Sequence, residues 1–331
     1  REVCRCESPQ SGRSGNVRAA VREAQASGAM RSPWPEMQYR ELGRTGFAGS
    51  RLIFGCGATL MTSRRDELLH AAFDAGVNVF DVGTRRYYDD AELNLAGFLK
   101  THRDRVFLIS KAMVYLDVEP ETQINLAQAK QAAQTWSGLL DQSLQDLGVE
   151  HIDAYYLMGS NNTSVVSSEE VYGAFERAKA AGKVSYFGLS THQNAQAVLE
   201  AAIATGWYDL AMIAITPGGW YNWQDRDILP GSPTLKELQP LLARARDAGI
   251  GLIGMKAARF IAGRKYFGWG NPDAFDEYYD PKFLKEKLSP FQRSYAFLLE
   301  NGLDAVNADM QNIAHLKENF VAAANSRKYF V

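Results

Sequence analysis

The chain has few of the residues that usually announce chemistry. Of its 331 residues, three are cysteine and five histidine. Cys4, Cys6 and Cys56 form no metal-ligand spacing, which excludes a zinc ribbon or a disulfide scaffold and fits free thiols in a reducing compartment. Neither sign of charge is in excess. The 36 Lys and Arg against 38 Asp and Glu leave −2 at neutral pH, so no charge excess points to nucleic acid or to an acidic membrane surface as a partner. No apolar run approaches the ~20 residues of a membrane span. The signatures Gly-x-Gly-x-x-Gly, Gly-x-x-x-x-Gly-Lys and His-Glu-x-x-His are also missing, so dinucleotide-fingerprint, kinase-type phosphate-loop and zinc-hydrolase readings have no footing. Residues 1–36 carry arginines with no apolar segment after them, against a cleavable secretory signal. They are expected to be a disordered or poorly structured leader, with a short helix near Val17–Ala26, and the expected compartment is the cytoplasm.

What is present is a regular alternation. From Met37 on, short apolar and β-branched runs alternate with helical patterns, the signature of a parallel α/β fold. The runs predict strands at Leu52–Gly55, Val77–Asp81, Val106–Lys111, Ile152–Leu157, Val184–Leu189, Leu210–Ile215, Gly251–Met255 and Ala305–Ala308, each followed by a helix. Gly76, Gly148, Gly182, Gly249 and Gly302 stand where glycine ends a helix. The chain is 46% hydrophobic and long enough for a (β/α)8 TIM barrel, which takes about 250 residues as one unit over 37–331. Long loops follow the fourth, sixth and seventh strands, the last two rich in aromatic residues, and loops of that length are usually functional.

Two of the predicted strands end in a charge, Asp81 and Lys111. In a (β/α)8 barrel the C-terminal strand ends converge, so the two would meet at one rim. A lysine paired with a carboxylate there can lower the pKa of a nearby phenol, and Tyr87 and Tyr88 follow Asp81 within one loop. That combination suits reduction of a carbonyl. The other reading of the pair is a buried structural ion pair.

The opening Met37-Gln-Tyr-Arg-Glu-Leu-Gly-Arg-Thr-Gly46 with Leu52-Ile-Phe-Gly55 resembles the entry hairpin and first strand of the aldo-keto reductases. Gly76-Val-Asn-Val-Phe-Asp81, Asp141-Gln-Ser-Leu-Gln-Asp-Leu-Gly148 through Leu157, and Gly182-Lys-Val-Ser-Tyr-Phe-Gly-Leu-Ser190 resemble later segments of that family in the family's order. Gly254-Met-Lys-Ala-Ala258 and Ser190-Thr-His192 look most like a bacterial branch. The resemblance implies an N-terminal β-hairpin on the barrel, NADP or NAD as cofactor and a small carbonyl compound as substrate, with no nucleic-acid or membrane partner. It also implies a tetrad of Asp, Tyr, Lys and His around the carbonyl, the tyrosine acting as general acid.

By that resemblance Asp81 and Lys111 take the Asp and Lys roles, and this sequence departs from the pattern at the other two. The tyrosine usually stands five residues after the Asp, where Arg86 lies; an insertion would let Tyr87 or Tyr88 point inward, and Tyr88 is the preferred candidate. The histidine position at the end of the fourth strand is Met158, whose thioether is a weak acceptor and cannot relay a proton. His192 is either its substitute or a rim residue. For the cofactor, Ser190 matches, Thr191 replaces an Asn, the aromatic platform falls at Ile215 with Trp220 or Tyr221 as replacements, and Glu318 and Asn319 match the adenine end. Asp309 stands where a base for the 2′-phosphate is common, leaving Lys256 and Arg259 as the nearest cations. Weighing against an oxidoreductase is a catalytically silent barrel that binds a ligand or partner protein.

Overall fold

The structure, a computed structural model, describes residues 34–263 and 270–330. The expected helix at Val17–Ala26 lies outside those residues. Strands β1 (Tyr39–Glu41) and β2 (Ala48–Ser50) form an antiparallel hairpin ahead of the barrel. The barrel strands are β3 (Leu52–Gly55), β4 (Val79–Asp81), β5 (Phe107–Met113), β6 (Ile152–Met158), β7 (Val184–Thr191) and β8 (Leu210–Thr216), then, after an antiparallel β9 (Gly219–Asn222) and β10 (Asp227–Ile228), β11 (Gly251–Met255) and β12 (Ala305–Asp309). Parallel pairing runs β8-β11-β12-β3-β4-β5-β6-β7, and β7 pairs back to β8, so the sheet closes.

Side chains alternate across each strand, and the two faces have different jobs. In β5, Phe107 and Ile109 join Val79, Ala154, Met212, Ile253 and Ala305 in a core inside the barrel, while Leu108 and Ala112 face the surrounding helices. This parity decides which groups reach the mouth. Continued to the C-terminal ends, the inward positions are Gly55, Asp81, Lys111, Met158, Ser190, Met255, Asn307 and Asp309.

The opposite end is closed by the hairpin. Gly43, at φ +53°, lies against the backbone of Gly251, and a side chain there would overlap it. Arg44 donates to the carbonyls of Gly206 and Tyr208 and pairs with Asp209 at 3.0 Å. Nearby, Arg51 is buried, pairs with Glu300 and donates to the carbonyls of Leu299, Leu303 and Asp304. Trp34 packs against Phe320 at 5.0 Å between ring centres. Among the described residues no helix is long and apolar enough to cross a membrane.

Candidate active site

Asp81 and Lys111 meet at the mouth as expected. Lys111 Nζ donates to both carboxylate oxygens of Asp81, at 2.5 and 2.6 Å, and both side chains are buried. Asn307 Nδ2, on β12 two strands away, donates to Asp81 Oδ2 at 2.7 Å. Burial pushes the Asp81 carboxyl up from the ordinary range, opposed by the ammonium of Lys111 and the amide of Asn307.

The tyrosine question is one of loop geometry. Thr84 O accepts from the amides of Tyr87 and Tyr88, and one turn of helix at Arg85–Tyr88 takes up the extra residues. It leaves Arg86 exposed and Tyr87 39% exposed, while Tyr88 turns inward. The Tyr88 ring lies between Gly57 and Gly83, where added methyl groups would stand within 2.5 and 2.7 Å of it. Lys111 Nζ is 5.8 Å from the ring centre. The expected tuning runs the other way: burial, with the charges of Asp81 and Asp309, pushes the Tyr88 hydroxyl well above its ordinary range. It therefore stays protonated at neutral pH, and the fully paired Lys111 does not pull it down.

Met158 ends β6 facing inward and is buried. It borders a cavity of about 750 Å³ walled by residues 113–120, the turn at 157–162, residues 192–195 and the loop at 220–224. Asp81, Tyr88 and Lys111 do not line this cavity, which lies beside them across Met113 and Met158. Its outer wall is the segment after β5, held by Asn162 Nδ2 to the carbonyls of Glu119 and Thr122 at 2.8 Å each. The helix that follows starts at Leu126, capped by Asn125.

A model of the aldo/keto reductase family matches residues 51–258, most of the barrel. The chain belongs to the aldo/keto reductase family. Among solved structures it is similar to a putative aldo-keto reductase from Pseudomonas aeruginosa, with 20% identity and a TM-score of 0.63 over 91% of this chain and 99% of that one. It is similarly close to the holo form of an aldo-keto reductase from Bacillus halodurans, with 20% identity and a TM-score of 0.62 over 88% and 95% of the two chains. Family and fold together support an oxidoreductase function.

Other residues expected to serve an aldo/keto reductase are scattered more widely. Ser190 and Thr191 are buried at the end of β7; Thr191 Oγ1 donates to Gln193 O at 2.7 Å. Lys256, at φ +64°, holds Nζ 4.5 Å above the ring of Trp223 and has no ion-pair partner among the described residues. Burial pushes its ammonium down, opposed by Asp309. Arg259 instead donates to Gly263 O. Glu318 and the buried Asn319 lie on the helix Ile313–Asn325, and the Asn319 amide makes no hydrogen bond among the described residues.

Trp220 and Tyr221 are largely buried but border the cavity beside Met158, and the neighbouring Trp223 ring lies 4.5 Å from Lys256 Nζ and 5.8 Å from the His192 ring. Asp309 lies close to the reacting groups. It ends β12 next to Gly55, reached by solvent yet walled in by protein, and its charge acts on Asp81, Lys256 and Tyr88. Sequence reasoning missed Asn307, although the alternation Ala305-Val-Asn307-Ala-Asp309 puts two polar side chains on the inward face of a buried strand.

Proposed function

We propose that the protein is an NAD(P)(H)-dependent oxidoreductase that interconverts a small carbonyl compound and its alcohol, with Tyr88 as proton donor. The observation that carries this reading is the inward turn of Tyr88, clasped between Gly57 and Gly83 over the Asp81–Lys111 pair. A phenol held protonated can give its proton to an alkoxide as it forms, since the alkoxide is far more basic than the phenolate. Asp81, fixed by two bonds from Lys111 and one from Asn307, keeps the pair rigid under the phenol. The residues present fit a nicotinamide dinucleotide: the Asn319 amide and the Lys256 ammonium, neither paired among the described residues, and the Ser190 hydroxyl offer it polar partners. When bound, the dinucleotide supplies the hydride. Asp309, an anion close to these groups, favours a bare ribose over a 2′-phosphate. Met158 in place of a hydrogen-bond donor weakens turnover, because losing one such donor typically costs about 10²–10³ in rate.

A second reading, a barrel that binds a ligand without chemistry, is favoured by the cavity itself, which borders Met158 but none of Asp81, Tyr88 and Lys111. Titration with NADPH and with NADH, followed by cofactor fluorescence, separates the two. The oxidoreductase reading expects saturable binding of at least one; binding of neither overturns it in favour of the second.

A further inference from the structure

The cavity beside Met158 has a wall chemistry of its own. The segments that bound it are tied to one another by side chains: Asn162 Nδ2 holds the carbonyls of Glu119 and Thr122, Asn194 Nδ2 donates to Glu121 Oε1 and Asn161 O at 3.2 and 3.0 Å, and Gln193 Nε2 donates to Gln224 Oε1 at 3.1 Å. The space is therefore pre-formed, which spares a ligand much of the cost of ordering its site. Among the described residues that line it, none is lysine or arginine, and its fixed charges are the exposed carboxylates of Asp117 and Glu119. His192 adds no positive charge, since burial and then the ammonium groups of Lys256 and Lys111 pull its imidazole down to about 3.

This wall discriminates between ligand classes. An anion would give up its hydration to a surface that offers no cation and two like charges. A wholly apolar ligand would cover polar groups that have no other partner: the Asn161 amide, Gln224 Nε2 and the carboxylates of Asp117 and Glu119 make no hydrogen bond among the described residues. A hydroxyl, which both donates and accepts, suits carboxamide and carboxylate alike. Tyr115 adds an apolar face, being 65% exposed with no ring partner among the described residues. The negative face of such a ring attracts the polarised C–H groups on one side of a sugar. We propose that the cavity is a binding site for a neutral saccharide, its hydroxyls shared among Asp117, Glu119, Asn161 and Gln224 and one ring face laid on Tyr115. The inference goes beyond the oxidoreductase reading and holds equally for a barrel that only binds.

The test is calorimetric titration of the full chain with glucose, maltose, glucosamine, glucuronate and glucose 6-phosphate. Glucose or maltose is expected to bind saturably, and the two anionic sugars about tenfold or more weaker. Tyr115→Ala and Asn161→Ala should each weaken the neutral sugar about tenfold, while Tyr115→Phe, which keeps the ring, should hold most of the affinity. Melting curves check that each variant is folded. Binding of neither neutral sugar, anionic sugars bound as well as neutral ones, or full affinity in both alanine variants overturns the proposal. Glucosamine bound about tenfold tighter than glucose also overturns it, by making the carboxylates a cation site. None of these results bears on the oxidoreductase reading, which the dinucleotide titrations decide separately.

Discussion

Replacing Glu92 by glutamine should stabilise the protein, and only on the alkaline side. Glu92 is the second residue of the helix Ala91–His102, is 1% exposed, and accepts from Ser110 Oγ at 2.6 Å through Oε1. Its Oε2 has no hydrogen-bond partner among the described residues. Burial, reinforced by the charge of Asp146 and only partly offset by the serine hydroxyls and Lys111, carries the carboxyl from its ordinary 4.5 to about 7. Between those two values the folded chain holds a proton that the unfolded chain has released, so stability falls as pH rises through that window. At about 1.4 kcal/mol per pH unit, ionised Glu92 costs the folded state about 3 kcal/mol above pH 7. Glutamine keeps the acceptor for Ser110 and never ionises. The Glu92→Gln protein should match wild type near pH 4 and exceed it by about 2–3 kcal/mol at pH 8, on the order of 5 °C in Tm. Denaturant unfolding from pH 4 to 8.5 measures this. Parallel stability curves for the two proteins would refute the argument, since they would mean that Glu92 is charged in the fold without penalty.

Gly83→Ala places a methyl 2.7 Å from Tyr88 Cδ2 and should lower kcat tenfold or more, as misplacing a reacting group by about 1 Å does; unchanged kcat in a folded variant would show that the ring position is not critical. Asp309→Asn should tighten NADPH several-fold more than NADH by removing an anion from the dinucleotide's path, and an unchanged ratio in fluorescence titrations would put the 2′-phosphate elsewhere. Arg51→Met leaves Glu300 and three carbonyls without their buried donor and should cost about 3 kcal/mol or more; a loss under about 1 kcal/mol by chemical unfolding would contradict that.

The fold was legible because strand-length apolar runs, helix periods and terminating glycines agreed at every turn of the barrel. Gly76 and Gly302, for instance, sit at φ +112° and +104°, where other residues are strained. The misjudged boundaries have local causes. The helix after the sixth barrel strand starts only at Gln239, because Thr234 and Glu237 bond to one another in a turn and Pro240 opens the helix behind them. In the site, Asp81 and Lys111 were readable as polar ends of buried strands. Tyr88 was not readable by spacing, since a single helical turn at Arg85–Tyr88 decides between it, Arg86 and Tyr87. The wall after β5 escaped for a similar reason: its position follows from loop hydrogen bonds such as those of Asn162, which no periodicity encodes.

The central claim, that Tyr88 delivers the proton, is tested most directly by steady-state aldehyde reduction in Tyr88→Phe and Tyr87→Phe, each checked for dinucleotide binding. The account predicts that both bind as wild type does, that Tyr88→Phe loses about 10²-fold or more in kcat, and that the exposed Tyr87→Phe keeps its rate. A Tyr88→Phe protein that binds the dinucleotide and turns over at the wild-type rate would contradict it.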